Sequence, residues 1–243
     1  DLFSDLQKRY GKSDLGDLGL SLDISRDQEP QVVNNRLVID YRRLITVTGL
    51  LSATLDRSDD LLNPKRGWRL SLTAEPTASF GDGPIDYVRA QAQLSVYWPF
   101  DANGATDLAG RVHMGAILAG SIPGVPASRR FYAGGGGSVR GYGYQQVGPR
   151  FPNDSPAGGL SLLETSVELR QQVYGPWAVA AFVDSGVLGT HQTFDLSAAE
   201  TGVGFGVRYN LGFAPLRIDF AMPLQKRPGD AAFQLYLSIG QSF

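Results

Sequence analysis

The chain reads as all-β: an antiparallel transmembrane β-barrel. Its 243 residues alternate apolar and polar in one segment after another, the period of strands with two unlike faces. Alternation alone also fits a soluble β-sandwich, whose apolar faces meet in a core. Three observations turn those faces toward lipid instead. The segments run about ten residues, the length of a tilted membrane strand. Trp68, Trp98, Tyr209 and Phe243 sit near strand ends on the apolar parity, as an interfacial girdle would. The polar parity mixes large charged residues with glycine, which suits a wet lumen.

In chain order, residues 1–17 form an N-terminal polar segment, in which Leu2, Phe3 and Leu6 suit one face of a short helix. Residues 18–243 are assigned to barrel strands, about ten or eleven in number, with a long inward-folding loop at 119–159. The first strand is Leu18 to Ile24, with its four apolar residues on one parity, and Arg26 to Pro30 reads as a polar turn. Arg36 to Arg43 and Leu44 to Leu55 read as two further strands. Asp56 to Gly67 is turn-rich. Trp68 to Glu75, Val88 to Trp98 and Leu108 to Leu118 alternate cleanly, the last with Arg111 and His113 on its polar side. Beyond the loop come Leu160 to Val173 and, after a tight Tyr174-Gly175-Pro176 turn, Trp177 to Val187. Thr201 to Leu211 carries Gly202, Gly204 and Gly206 on the lumenal parity, which clears room inside for the loop. Leu216 to Met222 and a last strand carrying Phe233, Leu235, Leu237 and Ile239 on one face complete the set.

Composition excludes several functions. There is no cysteine, so thiolate zinc sites, disulfides and a cysteine nucleophile are ruled out. With only His113 and His191, a histidine-rich metal site is not expected, and no metal or other cofactor is. A net charge of -2 without a basic run argues against nucleic acid as a partner. No apolar run is long enough for a membrane helix, and no signal peptide opens the chain, which is therefore expected to be mature or a fragment.

The most informative stretch is Phe131 to Tyr144, where a glycine run leads into Val139-Arg140-Gly141-Tyr142. Glycine lets backbone approach another surface closely, and arginine carries a permanent charge on a planar fork of donors. Such a loop can plant one cation against a wall of anions. Glu168 and Asp184 are candidates for the wall. Both have lumenal parity on consecutive strands, and each lies eight residues from Pro176, which predicts a direct cross-strand pair. Two close carboxylates need a cation between them to stay ionised. Arg140 is one candidate, with lumenal Phe182 packed beside it; Arg170, two residues from Glu168 on the same face, is the local alternative.

The loop, with Arg130 to Gly135 before it, resembles the hallmark loop of the outer-membrane protein insertase superfamily. The likeness extends to Asp59 to Trp68, Gly158-Gly159, Ser166 to Leu169, Phe182 to Gly186 and the terminal Phe243. Wording around the loop is most similar to the translocation and assembly module (TamA) branch, with BamA a cousin. The resemblance implies a Gram-negative outer-membrane barrel of about sixteen strands behind periplasmic POTRA domains. It implies that the loop arginine contacts the acids matched by Glu168 and Asp184. It further implies a weak seam that opens sideways, so that client outer-membrane proteins such as autotransporters pair with its edge. Gly240 and Phe243 match the gate strand, the glycine permitting an inward bend. Outer-membrane lipids, client proteins and a periplasm-spanning TamB-like protein are the partners implied. With ten or eleven strands, the chain reads as the C-terminal part of a longer protein or a shortened relative.

Two rival functions also bear on this sequence. An enzyme is not expected: no Gly-x-Ser-x-Gly elbow occurs, and Glu164 and Glu168 lie about 13 Å apart along one strand, too far for a paired-carboxylate glycosidase. A secretion pore or passive channel is the second, with Arg69, Arg89, Arg111, Arg208 and Arg217 lining the lumen.

Overall fold

The computed structural model describes residues 14–33, 36–82, 86–101, 104–119, 124–241 and 243. The proposed helix face at Leu2, Phe3 and Leu6 lies outside these residues. Among the described residues, ten antiparallel strands form one sheet in sequence order. They are β1 (Asp14–Val33), β2 (Arg36–Asp56), β3 (Gly67–Gly81), β4 (Tyr87–Pro99), β5 (Thr106–Leu118), β6 (Ser161–Tyr174), β7 (Trp177–Gly189), β8 (Glu200–Asn210), β9 (Pro215–Pro223) and β10 (Gln234–Ile239). Every connection joins neighbours, and from β5 onward longer loops at one end alternate with short turns at the other. β1 and β10 are the two edges, and among the described residues they do not pair with each other.

Two boundaries differ from expectation. Arg36–Arg43 and Leu44–Leu55 are one strand, which sets the count at ten. Arg42-Arg43 interrupts the apolar pattern without breaking the backbone, because β2 there runs past Gly81, the last β3 residue it pairs with. Beyond that point β1 is the one strand β2 pairs with. The polar stretch Arg26–Pro30 is likewise strand rather than turn, paired with Arg43–Ile39. Pro30 is tolerated because β1 is an edge strand with one sheet neighbour.

Burial is inverted relative to a soluble protein. Phe205 and Leu237 are 60% and 71% exposed, whereas Glu168 and Asp219 are wholly buried. Water-soluble folds almost never bury acids while exposing a continuous apolar face. Lipid outside and a polar lumen inside account for both, so the sandwich alternative falls away. Trp177 and Tyr209 meet edge to face, with ring centroids 4.8 Å apart, beside the β6–β7 turn on that outer face. Trp68 and Trp98 are exposed there as well.

The connection between β5 and β6 folds back inside the sheet. It pairs with itself through bridges Phe131↔Gly159, Ala133↔Val147 and Arg150↔Pro156. Its Val125, Phe131, Val139, Tyr142 and Val147 pack against the wall residues Ile117, Leu162 and Leu188. The apolar core therefore lies within the lumen near the long-loop end, and burying these side chains holds the loop in place. Deeper in, the contacts become ionic.

Candidate functional site

The site is built where the loop meets β6, β7 and β9. Gly141 has φ of +101°, a backbone that side chains strain to adopt. This turn aims the Arg140 side chain down into the lumen. Arg140 is 1% exposed. Its Nε and Nη2 donate to the two oxygens of Asp184 at 2.6 and 3.0 Å, a bidentate fork, and its backbone N–H donates to Oδ2 at 3.1 Å. Nη1 donates to Glu168 Oε2 at 2.6 Å and to Asp219 Oδ2 at 3.3 Å. The guanidinium carbon lies 3.4 Å from the centre of the Phe182 ring, a cation–π contact. Burial alone would lower the Arg140 pKa; hydrogen bonds and charge from Asp184, then Glu168, outweigh it and raise it above its ordinary value. The cation is permanent.

Both candidate partners of Glu168 are present. Arg140 takes Oε2, while Arg170 Nε donates to Oε1 at 2.9 Å. Arg208 also donates to Oε1, at 3.3 Å, and pairs with Asp219. Arg217 Nε lies 3.2 Å from Asp219, and Arg170 Nη1 3.5 Å from Asp107. Four arginines thus face four acids in one connected network. Buried charges are tolerated only when they are paired in this way.

The direct cross-strand pairing of Glu168 with Asp184 does not occur. Glu168 faces Phe182, and Asp184 faces Ser166. The hairpin closes with Tyr174↔Trp177, centred between Gly175 and Pro176 rather than on Pro176, and a register shift between Gln172 and Tyr174 moves the ladder further. The acids sit diagonally instead, with room between them for the guanidinium and with Phe182 beneath it. The Ser166 hydroxyl donates to Asp184.

Glycines open the wall on β8, between β7 and β9. A Cβ on Gly202 would collide with the Arg140 carbonyl oxygen, and one on Gly204 with the Phe182 ring. The loop backbone and its aromatic platform occupy the space those side chains would fill.

A second anchor holds the glycine run. Arg111 donates to the carbonyls of Gly137 and Ser138 at 2.9 and 3.0 Å, and Glu164 accepts from the Ser138 hydroxyl. His113 Nδ1 lies 3.0 Å from Glu164. Arg111→Ala removes two carbonyl partners and the ion pair of Arg111 with Glu164, 3.6 Å apart, leaving Glu164 with Ser138 and His113. We expect about 2–3 kcal/mol less loop anchoring, read as a rise in the loop's trypsin sensitivity with the barrel intact.

Gly240 and Phe243 lie beyond β10, which ends at Ile239. Gly240 has φ of +91°, and the chain turns off the strand there. The Gly240 N–H donates to Pro215 O at 2.8 Å, and Gln241 N–H to Leu62 O at 3.2 Å. The Phe243 ring is 5.6 Å from the Arg111 guanidinium carbon and 5.7 Å from that of Arg170. It therefore faces the lumen and does not join the outer girdle as its parity predicts, because the Gly240 turn breaks the alternation.

Sequence reasoning did not single out Asp219 or Tyr236. Asp219 carries lumenal parity and stands opposite Gly206, where a Cβ would strike its carboxylate. That glycine was a usable signal. For Tyr236 the sequence holds no comparable cue.

The sequence pattern of the Omp85 superfamily domain matches residues 8–243, nearly the whole chain. Among curated proteins, the outer membrane protein assembly factor BamA of Nitratidesulfovibrio vulgaris is 28% identical over 207 residues, covering 78% of this chain and 25% of its own length. BamA of Neisseria meningitidis serogroup B is 25% identical over 222 residues, covering 77% of this chain and 28% of its own length. The chain thus spans about a quarter of the relatives it matches. The crystal structure of BamA from Haemophilus ducreyi lacking POTRA domains 1–3 superposes with a TM-score of 0.72 at 18% identity, covering 92% of this chain and 51% of that one. With a polar lumen, a lipid-facing exterior and this match along almost its full length, the chain belongs to the Omp85 superfamily of Gram-negative outer-membrane β-barrel proteins.

Proposed function

We propose that this chain is the loop-bearing part of an outer-membrane protein insertase. The supporting observation is the buried Arg140 shared by Glu168, Asp184 and Asp219. A loop tied this firmly to the wall beside the last strands fits a protein that must keep its barrel ordered while one edge works. β10 is six residues long and pairs with β9 alone. An unpaired edge is a template for another strand, so a client strand adds to it by β-augmentation and leaves sideways into the membrane. Outer-membrane proteins, autotransporters among them, are the clients of this reading. Its finer version places the chain in the TamA branch with a TamB-like partner spanning the periplasm. It assigns no enzymatic activity and no nucleic-acid partner.

The passive-channel alternative has less support. Arg69, Arg89, Arg111, Arg208 and Arg217 each have an acidic partner within 4 Å, so none is a free cation lining a pore. The test is reconstitution of the whole protein in lipid vesicles with urea-unfolded client barrels. Faster client folding than in protein-free vesicles is expected. No acceleration, together with a steady open conductance in planar bilayers, would replace the insertase reading with the channel.

A further inference from the structure

β10 is held from inside the lumen as well as by its sheet neighbour. Only six residue pairs join it to β9, Gln234↔Ala221 through Ile239↔Leu216. Leu235, Leu237 and Ile239 face outward, leaving Gln234, Tyr236 and Ser238 on the lumenal side. Tyr236 reaches the Val139–Tyr142 segment itself. Its hydroxyl accepts from the Gly141 N–H at 3.0 Å and donates to the Tyr142 carbonyl at 2.9 Å. Both uses of the phenol oxygen are thereby spent on loop backbone, on the two residues that follow Arg140. Its ring lies against Gly136, where an added Cβ would come within 2.9 Å of Tyr236 Cδ1. A parallel link runs from Asp219 through Arg217, whose Nε donates to the Ser238 hydroxyl at 2.8 Å.

We propose that Tyr236 is a positioning residue that clips the last strand to the arginine-locked loop. While Arg140 stays among its acids, Gly141 and Tyr142 are fixed, and the phenol bound to them pins β10 against outward tilting. When the loop leaves the wall, the clip has nothing to hold, and β10 is retained by its six pairs with β9 and the Arg217–Ser238 link. This coupling rests on the insertase reading only for its purpose; the clip itself is a statement about strand and loop.

The experiment is hydrogen exchange on the whole protein in lipid nanodiscs, following the β10 amides that bond β9, with β4 amides as the folding control. Tyr236→Phe removes one oxygen and keeps the ring. It is expected to speed β10 exchange about threefold to tenfold, the worth of a net hydrogen bond or so, with β4 unchanged. Arg140→Ala is expected to speed it at least as much. The double variant should exchange no faster than Arg140→Ala alone, because the clip acts through the locked loop. Unchanged β10 exchange in Tyr236→Phe would overturn the proposal, and so would multiplying effects in the double variant, which would mean the phenol acts independently of the Arg140 lock. The insertase reading fails separately: normal client assembly by Arg140→Ala, with β10 exchange accelerated, would sink that reading and leave the clip standing.

Discussion

Arg140→Ala should release the loop from the wall while the strands stay folded. The substitution leaves Glu168, Asp184 and Asp219, none more than 1% exposed, without the cation that joins them. Breaking one side of a buried ion pair costs about 3–5 kcal/mol because the remaining charge stays buried. Arg170, Arg208 and Arg217 remain near Glu168 and Asp219, but among the described residues none of them is ion-paired with Asp184, which loses its bidentate partner outright. A cost of about 3 kcal/mol shifts the locked-to-released balance about a hundredfold. Limited trypsin digestion reads this directly. Arg130 and Arg150 are loop cleavage sites, and Arg130 is buried while the Arg150 side chain is 7% exposed. Cleavage at both should accelerate about a hundredfold in the variant, with heat-modifiable gel migration of the barrel retained. Cleavage at the wild-type rate would show that the loop is held by its apolar core alone. Arg140→Lys should fall between the two, since an ammonium keeps the charge but not the fork that spans Asp184 and Glu168.

Gly202→Ala tests the same lock without touching a charge. The new methyl would occupy the position of the Arg140 carbonyl oxygen. Neither side yields easily. Gly202 is laddered to Asp184 on one side and Pro223 on the other, and Arg140 is held by its own N–H to Asp184. Overpacking of this kind costs about 1–3 kcal/mol. Trypsin sensitivity of the loop should rise about tenfold or more, with the ion-pair residues all present. Gly137→Ala is the control: nothing lies within 4 Å of its added Cβ, so it should leave the loop as protected as in the wild type. If the two variants behave alike, the close approach at Gly202 does not hold the loop.

Much of this architecture is legible along the chain. Alternation in neighbouring residues places Arg111, Glu168, Asp184 and Arg208 on one face and Leu169, Val183 and Phe205 on the other, because pleated backbone sends successive side chains to opposite sides whatever the rest of the molecule does. The glycine run followed by a single arginine similarly announces a segment that must pack closely and carry charge. Parity fails where the backbone leaves the strand, as Phe243 shows: its lumenal place depends on one positive φ at Gly240.

Sequence by itself determined the strands, the sidedness of their residues and the loop that carries the cation. The tertiary structure alone decided the register, in which the turn centre and a one-position shift near Val173 together set Glu168 and Asp184 on a diagonal. It alone brought Asp219 and Tyr236 to the loop, from 79 and 95 positions along the chain. The reason is physical. Side-chain sidedness is written in bonds between adjacent residues, whereas register and convergence arise from bulges and sheet curvature accumulated over many strands.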